Sequence, residues 1–222
     1  AGGLSDVIAR TVNNTLSKNL GQPVIVDNLG GASGAIAAQK VLSAPSDGQI
    51  IFQGSPNELI LAPLAISAVK FKSEDFRLVQ MIATAQIGFL ARKDLPVNNV
   101  DEFLDYARKE AQAGRPITYA SVGPGSFYHL LGEHLSKTTN IPMTHIPYKG
   151  AAPANQDLIG GQVDVMFNGM VATYPHVKAG KVLALAQTRG KRAKGHPGVP
   201  TMDEQGFAGF DATTWYGLVG PA

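Results

Sequence analysis

Apolar residues recur at Ile8, Val12, Leu16 and Leu20, with Ala9 and Thr11 beside them, a spacing that lays one stripe along an α-helix. Ser5 stands where an N-cap is wanted and Gly21 where a helix stops, so a helix over 5–20 is predicted. The β-branched run Pro23-Val24-Ile25-Val26-Asp27 reads as a strand, 28–34 as a Gly-rich loop, and 35–42 as a helix of small residues. Ile50 to Gln53 reads as a short buried strand ending at Gly54-Ser55-Pro56-Asn57, before a helix containing Leu59 to Leu64. Two apolar strand-like pieces run almost together from Leu78 to Ala91. Asn99-Val100-Asp101-Glu102 then opens a helix to about Ala113 as a capping box.

Further strands are predicted at Ile117 to Ser121, Met143 to Ile146, Val163 to Phe167 and Val182 to Gln187. Between them, Ser126 caps a helix with Leu130, Leu131, His134 and Leu135 on one side, a second helix ends at Gly160-Gly161, and a third lies near 171–178. Strands alternate with helices throughout, the pattern of an α/β protein. One layout occurs twice: Gly2-Gly3, Ser5, helix, Pro23, strand, Gly30-Gly31-Ala32, and again Gly123-Pro124-Gly125, Ser126, helix, Pro142, strand, Gly150-Ala151-Ala152. Two copies read as two similar α/β lobes, not a repeat array.

Composition narrows the classes. Only 16 % of residues are charged and 44 % are hydrophobic, which supplies a packed core and excludes intrinsic disorder. The net charge of +2 is too small for dense phosphate neutralisation, so no nucleic-acid partner is expected. No apolar run reaches the ~18 residues of a membrane span. Zero Cys removes disulfides and thiolate chemistry and leaves the compartment open. Both ends are abrupt, with Trp215 to Val219 reading as an unfinished strand, so a trimmed chain without its signal peptide is expected.

Strand-to-helix junctions rich in Gly aim unpaired backbone N–H groups and the positive end of a helix dipole at whatever lies in front of them. Four such junctions around one crevice would bind an anion, with Ser5, Ser33 and Ser126 adding hydroxyls; helix capping alone is the competing reading for each loop. Other chemistry fares worse. Gly30-Gly31-Ala32-Ser33-Gly34 does not fit the dinucleotide fingerprint, and neither Gly180-Lys181 nor Gly190-Lys191 completes a P-loop. His129 and His134 lie roughly 140° apart on a helix of 3.6 residues per turn and cannot share a metal, so no metal site and no cofactor is expected. Ser126 and His129 lack a nucleophile elbow, and capping by Ser126 outweighs nucleophilic attack, so no catalytic residue is assigned. Lys149 and the run Arg189, Lys191, Arg192, Lys194 read as solvated loop charges.

Several motifs in order then become recognisable: Gly2 to Asp6, Gly21 to Asn28 with Gly30 to Gly34, Ser46-Asp47-Gly48, Ser121 to Ser126 with His129-Leu130, Ile146 to Gly150, Gly160 to Asp164, and Val199-Pro200-Thr201. Across essentially the whole chain they resemble the Bug-type solute receptors of tripartite tricarboxylate transporters. The resemblance implies a two-lobed, periplasmic-binding-protein-like α/β fold (type II, the Venus flytrap) with a ligand cleft between the lobes. It implies a monomeric periplasmic protein that passes a small organic carboxylate to membrane permease subunits. It further implies a strand before the Gly2-Gly3 loop and helices beyond Ala222. Crossovers near 85–91 and 206–212 would put residues 1–91 and 209–222 in the first lobe and 92–208 in the second.

Carried over position by position, Ser5, Ser126, Tyr148 and Gly150 are cleft residues, with Gly3, Gly30, Ser33, Gly125, Phe127 and Ala151 close by. After the strand 163–167 many members carry Asp where this chain has Asn168. Asn cannot neutralise a ligand ammonium, so the expected ligand lacks an amino group, as a dicarboxylate or aromatic acid does. An enzyme of the same architecture, with His129 as base beside Ser126, is the alternative. The sensing half of a regulator is disfavoured because no DNA-binding segment is present.

Overall fold

The computed structural model describes residues 3–222; Gly2, half of the first predicted Gly-Gly loop, lies outside them. Helix α1 (Leu4–Leu20) ends where Gly21 takes φ 65°, a left-handed conformation that glycine adopts without strain. Its N-cap is Gly3, with no side-chain cap, so the expected capping role of Ser5 is not realised: Ser5 sits one residue inside the helix and is exposed. The predicted strand 23–27 is also absent. This segment is extended but pairs with no strand among the described residues, and Ile25 is 85 % exposed.

Helix α2 (Ala35–Leu42) has the predicted bounds, and β1 is Phe52–Gly54, two residues later than the apolar run suggests. A single π-type turn over Asn57–Leu61 then leads into the short helix α3 (Ala62–Ala65). The two predicted pieces between Leu78 and Ala91 are one 17-residue strand, β2 (Phe76–Arg92).

The later elements are α4 (Val100–Gln112), β3 (Thr118–Ser121), α5 (Phe127–Thr139), β4 (Thr144–Pro147), α6 (Ala151–Ile159), β5 (Val165–Gly169), α7 (Met170–Lys178), β6 (Val182–Gln187) and β7 (Thr213–Pro221). In α5 the buried face is Tyr128, Leu131, Gly132 and Leu135, while the expected core residue Leu130 is 41 % exposed. Gly132 is needed there because the Tyr119 ring lies where a Cβ would stand.

Strand β2 joins two sheet regions. From Phe76 to Gln86 it pairs antiparallel with β7, whose other edge carries β1. From Ile87 to Arg92 it lies between β5 and β6, and beyond β5 come β3 and β4. The strands β3, β4 and β5 are parallel, with their carboxyl ends toward the loops that start α5, α6 and α7. The principal core lies on the second region, where Phe89 stacks on Phe167 at 4.7 Å and meets Phe103 edge-on at 5.0 Å. The result is a mixed α/β, two-lobed architecture in which a helix follows nearly every strand.

Helix α4 starts at the expected N-cap Asn99, but the return bond of Glu102 goes to the amide one residue earlier than a capping box requires. Asn99 Oδ1 accepts from the Glu102 amide at 2.8 Å, and Glu102 reaches back to accept from the Asn98 amide at 2.8 Å. Asn99→Ala should lower stability by about 1 kcal/mol, read as an earlier urea midpoint with an unchanged m-value.

Candidate functional site

The four predicted junctions converge. An ideal Cβ on Gly3 would stand 3.5 Å from the Ala151 Cβ, and one on Gly30 would stand 3.1 Å from the Lys149 carbonyl. A Cβ on Gly123 would come within 3.1 Å of Ser33 Oγ, and one on Gly125 would run into Ala65. Loops of the first sheet region therefore face loops of the second at backbone distance. Two hydrogen bonds cross between them: Ser33 Oγ donates to the Pro124 carbonyl at 2.8 Å, and the Phe127 amide donates to Asn57 Oδ1 at 2.7 Å. Ala32 and Ser33 both hold positive φ, 47° and 53°, a costly conformation for residues with a Cβ, and Ser33 is buried while it makes its crossing bond.

The junctions differ in what they leave free. At helix α5 the Phe127 and His129 amides of the first turn are already taken. Ser126, fully buried, accepts from the His129 amide at 3.3 Å, the Gly125 amide donates to His129 Nδ1 at 3.1 Å, and Asn57 takes the Phe127 amide. Gly125, Ser126 and the Phe127 backbone thus come to the site with their polar groups engaged, and the Phe127 ring packs against the main core. Helices α1 and α6 have no side-chain cap at Gly3 or Gly150. Their first-turn amides, at Leu4 and Ser5 on one side and Ala151 and Ala152 on the other, have no partner within their own helices. Gly150 has open space where a Cβ would be. Two positive helix ends from opposite sheet regions therefore flank the same gap.

Two expected cleft side chains point elsewhere. The Tyr148 hydroxyl donates to Asp157 Oδ2 at 2.7 Å while its ring joins the α6 core, so only its backbone reaches the loops. Burial, reinforced by that carboxylate, pushes its hydroxyl up to about 12. Asn168 is buried at the end of β5, its Oδ1 accepting from the Gly169 amide at 2.8 Å and its Nδ2 donating to Asn155 at 3.0 Å. It braces the middle of α6 instead of presenting a free amide. Lys149 is exposed.

Behind the α5 loop lies a cluster that spacing along the chain does not reveal. Ser121 Oγ and His145 Nε2 are 2.7 Å apart, and the His145 ring stacks between Tyr119 at 5.0 Å and His129 at 4.1 Å. Burial, then the neighbouring His129, pushes His145 down to about 4, so it stays neutral near pH 7. Ser121 is fully buried and its hydroxyl also closes the turn at Gly123, accepting the Gly123 amide at 3.1 Å. The Ser–His pair therefore braces the loop, with the Ser121 hydroxyl out of contact with solvent. Ser126 and His129, the pair weighed from sequence, meet through a backbone amide and not through the imidazole. Among the described residues no three His, Cys, Asp or Glu side chains are grouped to hold a metal.

On the opposing side Glu58 packs against Gly34, its Oε2 accepting from the Ser55 amide at 2.8 Å and the Ser55 hydroxyl at 2.6 Å. Burial raises its carboxyl to about 7 despite those donors. Tyr128 and Tyr216 are buried nearby and are also pushed up by burial, Tyr128 to about 12.

Comparison with known proteins places the chain in a family. The sequence profile of the tripartite tricarboxylate transporter family receptor matches residues 8–222. An Agrobacterium vitis relative, the UPF0065 protein in the TAR-I ttuE-ttuC' intergenic region, is 34 % identical over 221 residues. That match takes in 100 % of this chain but 63 % of the relative, so the chain spans just under two thirds of that protein's length. Among solved structures, MatC from Rhodopseudomonas palustris with bound malate superposes with a TM-score of 0.92 at 31 % identity, over 100 % of this chain and 74 % of that one. R. palustris Rpa4515 with adipate gives 0.93 at 32 % identity, over 100 % and 73 %.

Proposed function

We propose, from the premise that the chain belongs to the tripartite tricarboxylate transporter receptor family, that the whole protein is a periplasmic solute-binding receptor for a small organic carboxylate. It delivers that solute, chemically unchanged, to the membrane subunits of a tripartite permease. The observation that carries this reading is the pair of uncapped helix N-termini, α1 at Gly3 and α6 at Gly150, that flank one gap from opposite sheet regions. A carboxylate bound there receives N–H donors from both, and each helix dipole favours its charge. Ser5, Gly30 and Ala151 complete the near wall, while Ser33, Gly125, Ser126, Phe127, Tyr148 and Asn168 set the backbone around it.

The lobes of this receptor are residues 1–91 with 209–222, and 92–208, with 87–91 at the end of β2 reaching across into the second sheet region. The change of β2 partners between Gln86 and Ile87 supports a hinge there, and the Ala212 amide, donating to the Thr188 carbonyl at 3.1 Å, marks the second crossing. The ligand is a dicarboxylate or aromatic acid without an amino group. Asn168 supplies no negative charge for an ammonium, and the malate and adipate of the two similar structures are dicarboxylates. The receptor acts as a monomer, without cofactor or metal.

The test is a thermal-shift screen of the complete mature protein against mono-, di- and tricarboxylates, aromatic acids and amino acids. A ligand at 100 times its Kd should add about 2.7 kcal/mol of stability and be recovered intact. Tight binding of an α-amino acid, with none of any dicarboxylate, would overturn the ligand class. Turnover of the bound acid would favour the enzyme reading. Asn168→Asp should weaken dicarboxylate binding at pH 8 by about tenfold in calorimetry, because it brings a like charge beside α6.

A further inference from the structure

Glu58 has no part in the carboxylate site, yet it stands where the two sheet regions touch. Two side-chain hydrogen bonds cross the gap: Asn57 takes the Phe127 amide at 2.7 Å, and Ser33 donates to the Pro124 carbonyl at 2.8 Å. Glu58 follows Asn57 in the chain, and it packs against Gly34, the neighbour of Ser33, where a Cβ would run into its Cγ and Oε1. Its carboxyl is therefore enclosed beside both crossings. The second oxygen, Oε2, is held on its own side of the gap by the Ser55 amide and hydroxyl.

The titratable groups that face this carboxyl are Tyr128 of α5, one residue past the crossing amide, and Tyr216 of β7. Burial keeps both hydroxyls neutral near pH 7, and among the described residues no cation pairs with Glu58. With the lobes together, an ionised carboxylate there has lost water and has no opposite charge to replace it. Burial accordingly raises the carboxyl to about 7, whereas the same group in water has an ordinary 4.5. Parting of the lobes withdraws Tyr128 and admits water, so the ionised form gains most from opening.

We propose that Glu58 is a proton-operated latch between the lobes: protonated, it lets them stay together, and ionised, it drives them apart. Closing takes up a proton, whatever solute occupies the gap. The latch rests on the two-lobed receptor reading, because it needs lobes that part. For a carboxyl at about 7 when closed and 4.5 when open, the closed-to-open ratio falls about tenfold between pH 6 and pH 8.

The experiment is single-molecule fluorescence transfer between dyes on the two lobes of the complete mature, ligand-free protein at pH 6, 7 and 8. The wild type should move toward the open arrangement as pH rises, by about that factor, and Glu58→Gln should stay closed throughout. Histidines titrate in the same range, but with the opposite sign here. Protonating His129 removes the acceptor of the Gly125 amide and loosens the loop that abuts Ala65, so it would open the lobes on acidification. The direction of the wild-type response therefore tests the latch even if the variant does not fold. A distribution unchanged by pH, or one that opens on acidification, overturns the proposal, and so does an equal pH response in Glu58→Gln. If Asn57→Ala opens the protein while pH does not, the latch alone falls. If neither moves the distribution, the two-lobed reading falls with it.

Discussion

Asn57→Ala should shift the ligand-free protein toward a more open arrangement of its lobes. The Asn57 side-chain oxygen takes the Phe127 amide at 2.7 Å across the gap, at the N-terminus of a 13-residue helix, in a place where an anion's oxygen would otherwise be welcome. The contact is buried, and Asn57 is held in place by its own amide, which donates to the Ser55 hydroxyl at 3.2 Å. Alanine leaves the Phe127 N–H without a partner only while the lobes stay together; once they part, water satisfies it. The closed arrangement therefore loses about 1–3 kcal/mol relative to the open one, a change of roughly five- to 150-fold in their ratio. Single-molecule fluorescence transfer between dyes on the two lobes reads this directly, and the absence of native cysteine makes site-specific labelling simple. An unchanged transfer distribution would mean that Asn57 does not hold the lobes together. Asn57→Asp should act in the opposite direction, since a carboxylate at that helix terminus is the stronger acceptor.

The second large effect concerns protons. Glu58 has its carboxyl raised from an ordinary 4.5 to about 7 by burial. Between those values the folded protein holds a proton that the unfolded chain has released. Stability from this group is therefore greatest below pH 4.5 and is lost as pH climbs through 7, amounting to roughly 3 kcal/mol in all. Exposed carboxylates such as Glu102, lowered chiefly by the Asn98 amide, act in the opposite sense, so the whole-protein curve mixes both. Glu58→Gln isolates the buried group, because glutamine stays neutral and still accepts from Ser55. Denaturant unfolding at pH 5 and pH 8 should show the wild type losing more stability than the variant by about that amount. Parallel pH profiles would mean that the carboxyl is solvated enough to ionise normally.

Features decided by adjacent residues were legible in the sequence. Asn99, Ser126 and Gly21 mark helix ends that the structure places within a residue or two, because a cap is a bond between near neighbours. Pairing is not local. Residues 23–27 have strand composition but no partner among the described residues. The two strand-like pieces expected between Leu78 and Ala91 are one strand, β2, whose register against β7 shifts at Leu78/Gln80 and Met81/Ala83. At the site, the Gly-rich loops and their convergence follow from strand-to-helix order. Which amides remain free does not. The α5 loop is satisfied by Asn57, seventy positions away, and the turn beneath it is braced by His145, twenty-four from Ser121. The partner of the Tyr148 hydroxyl is equally hidden in the sequence: Asp157, two turns along α6, accepts it.

The position of β7 between β1 and β2 also dictates the order in which the chain can fold. Phe52 pairs with Val219 and Phe76 with Pro221, so the first sheet region cannot assemble until residues 213–221 have emerged. The second region draws β3, β4, β5 and β6 from one contiguous stretch, and its contacts are far closer along the chain. Low contact order favours early formation, so β3, β4 and β5 are expected to pair before the first region does. The leading segment, with β1 and the first part of β2, waits unpaired until residues 213–221 are available. During that interval Phe52, Phe71 and Phe76, which pack on one another once the sheet forms, are open to aggregation or to a chaperone.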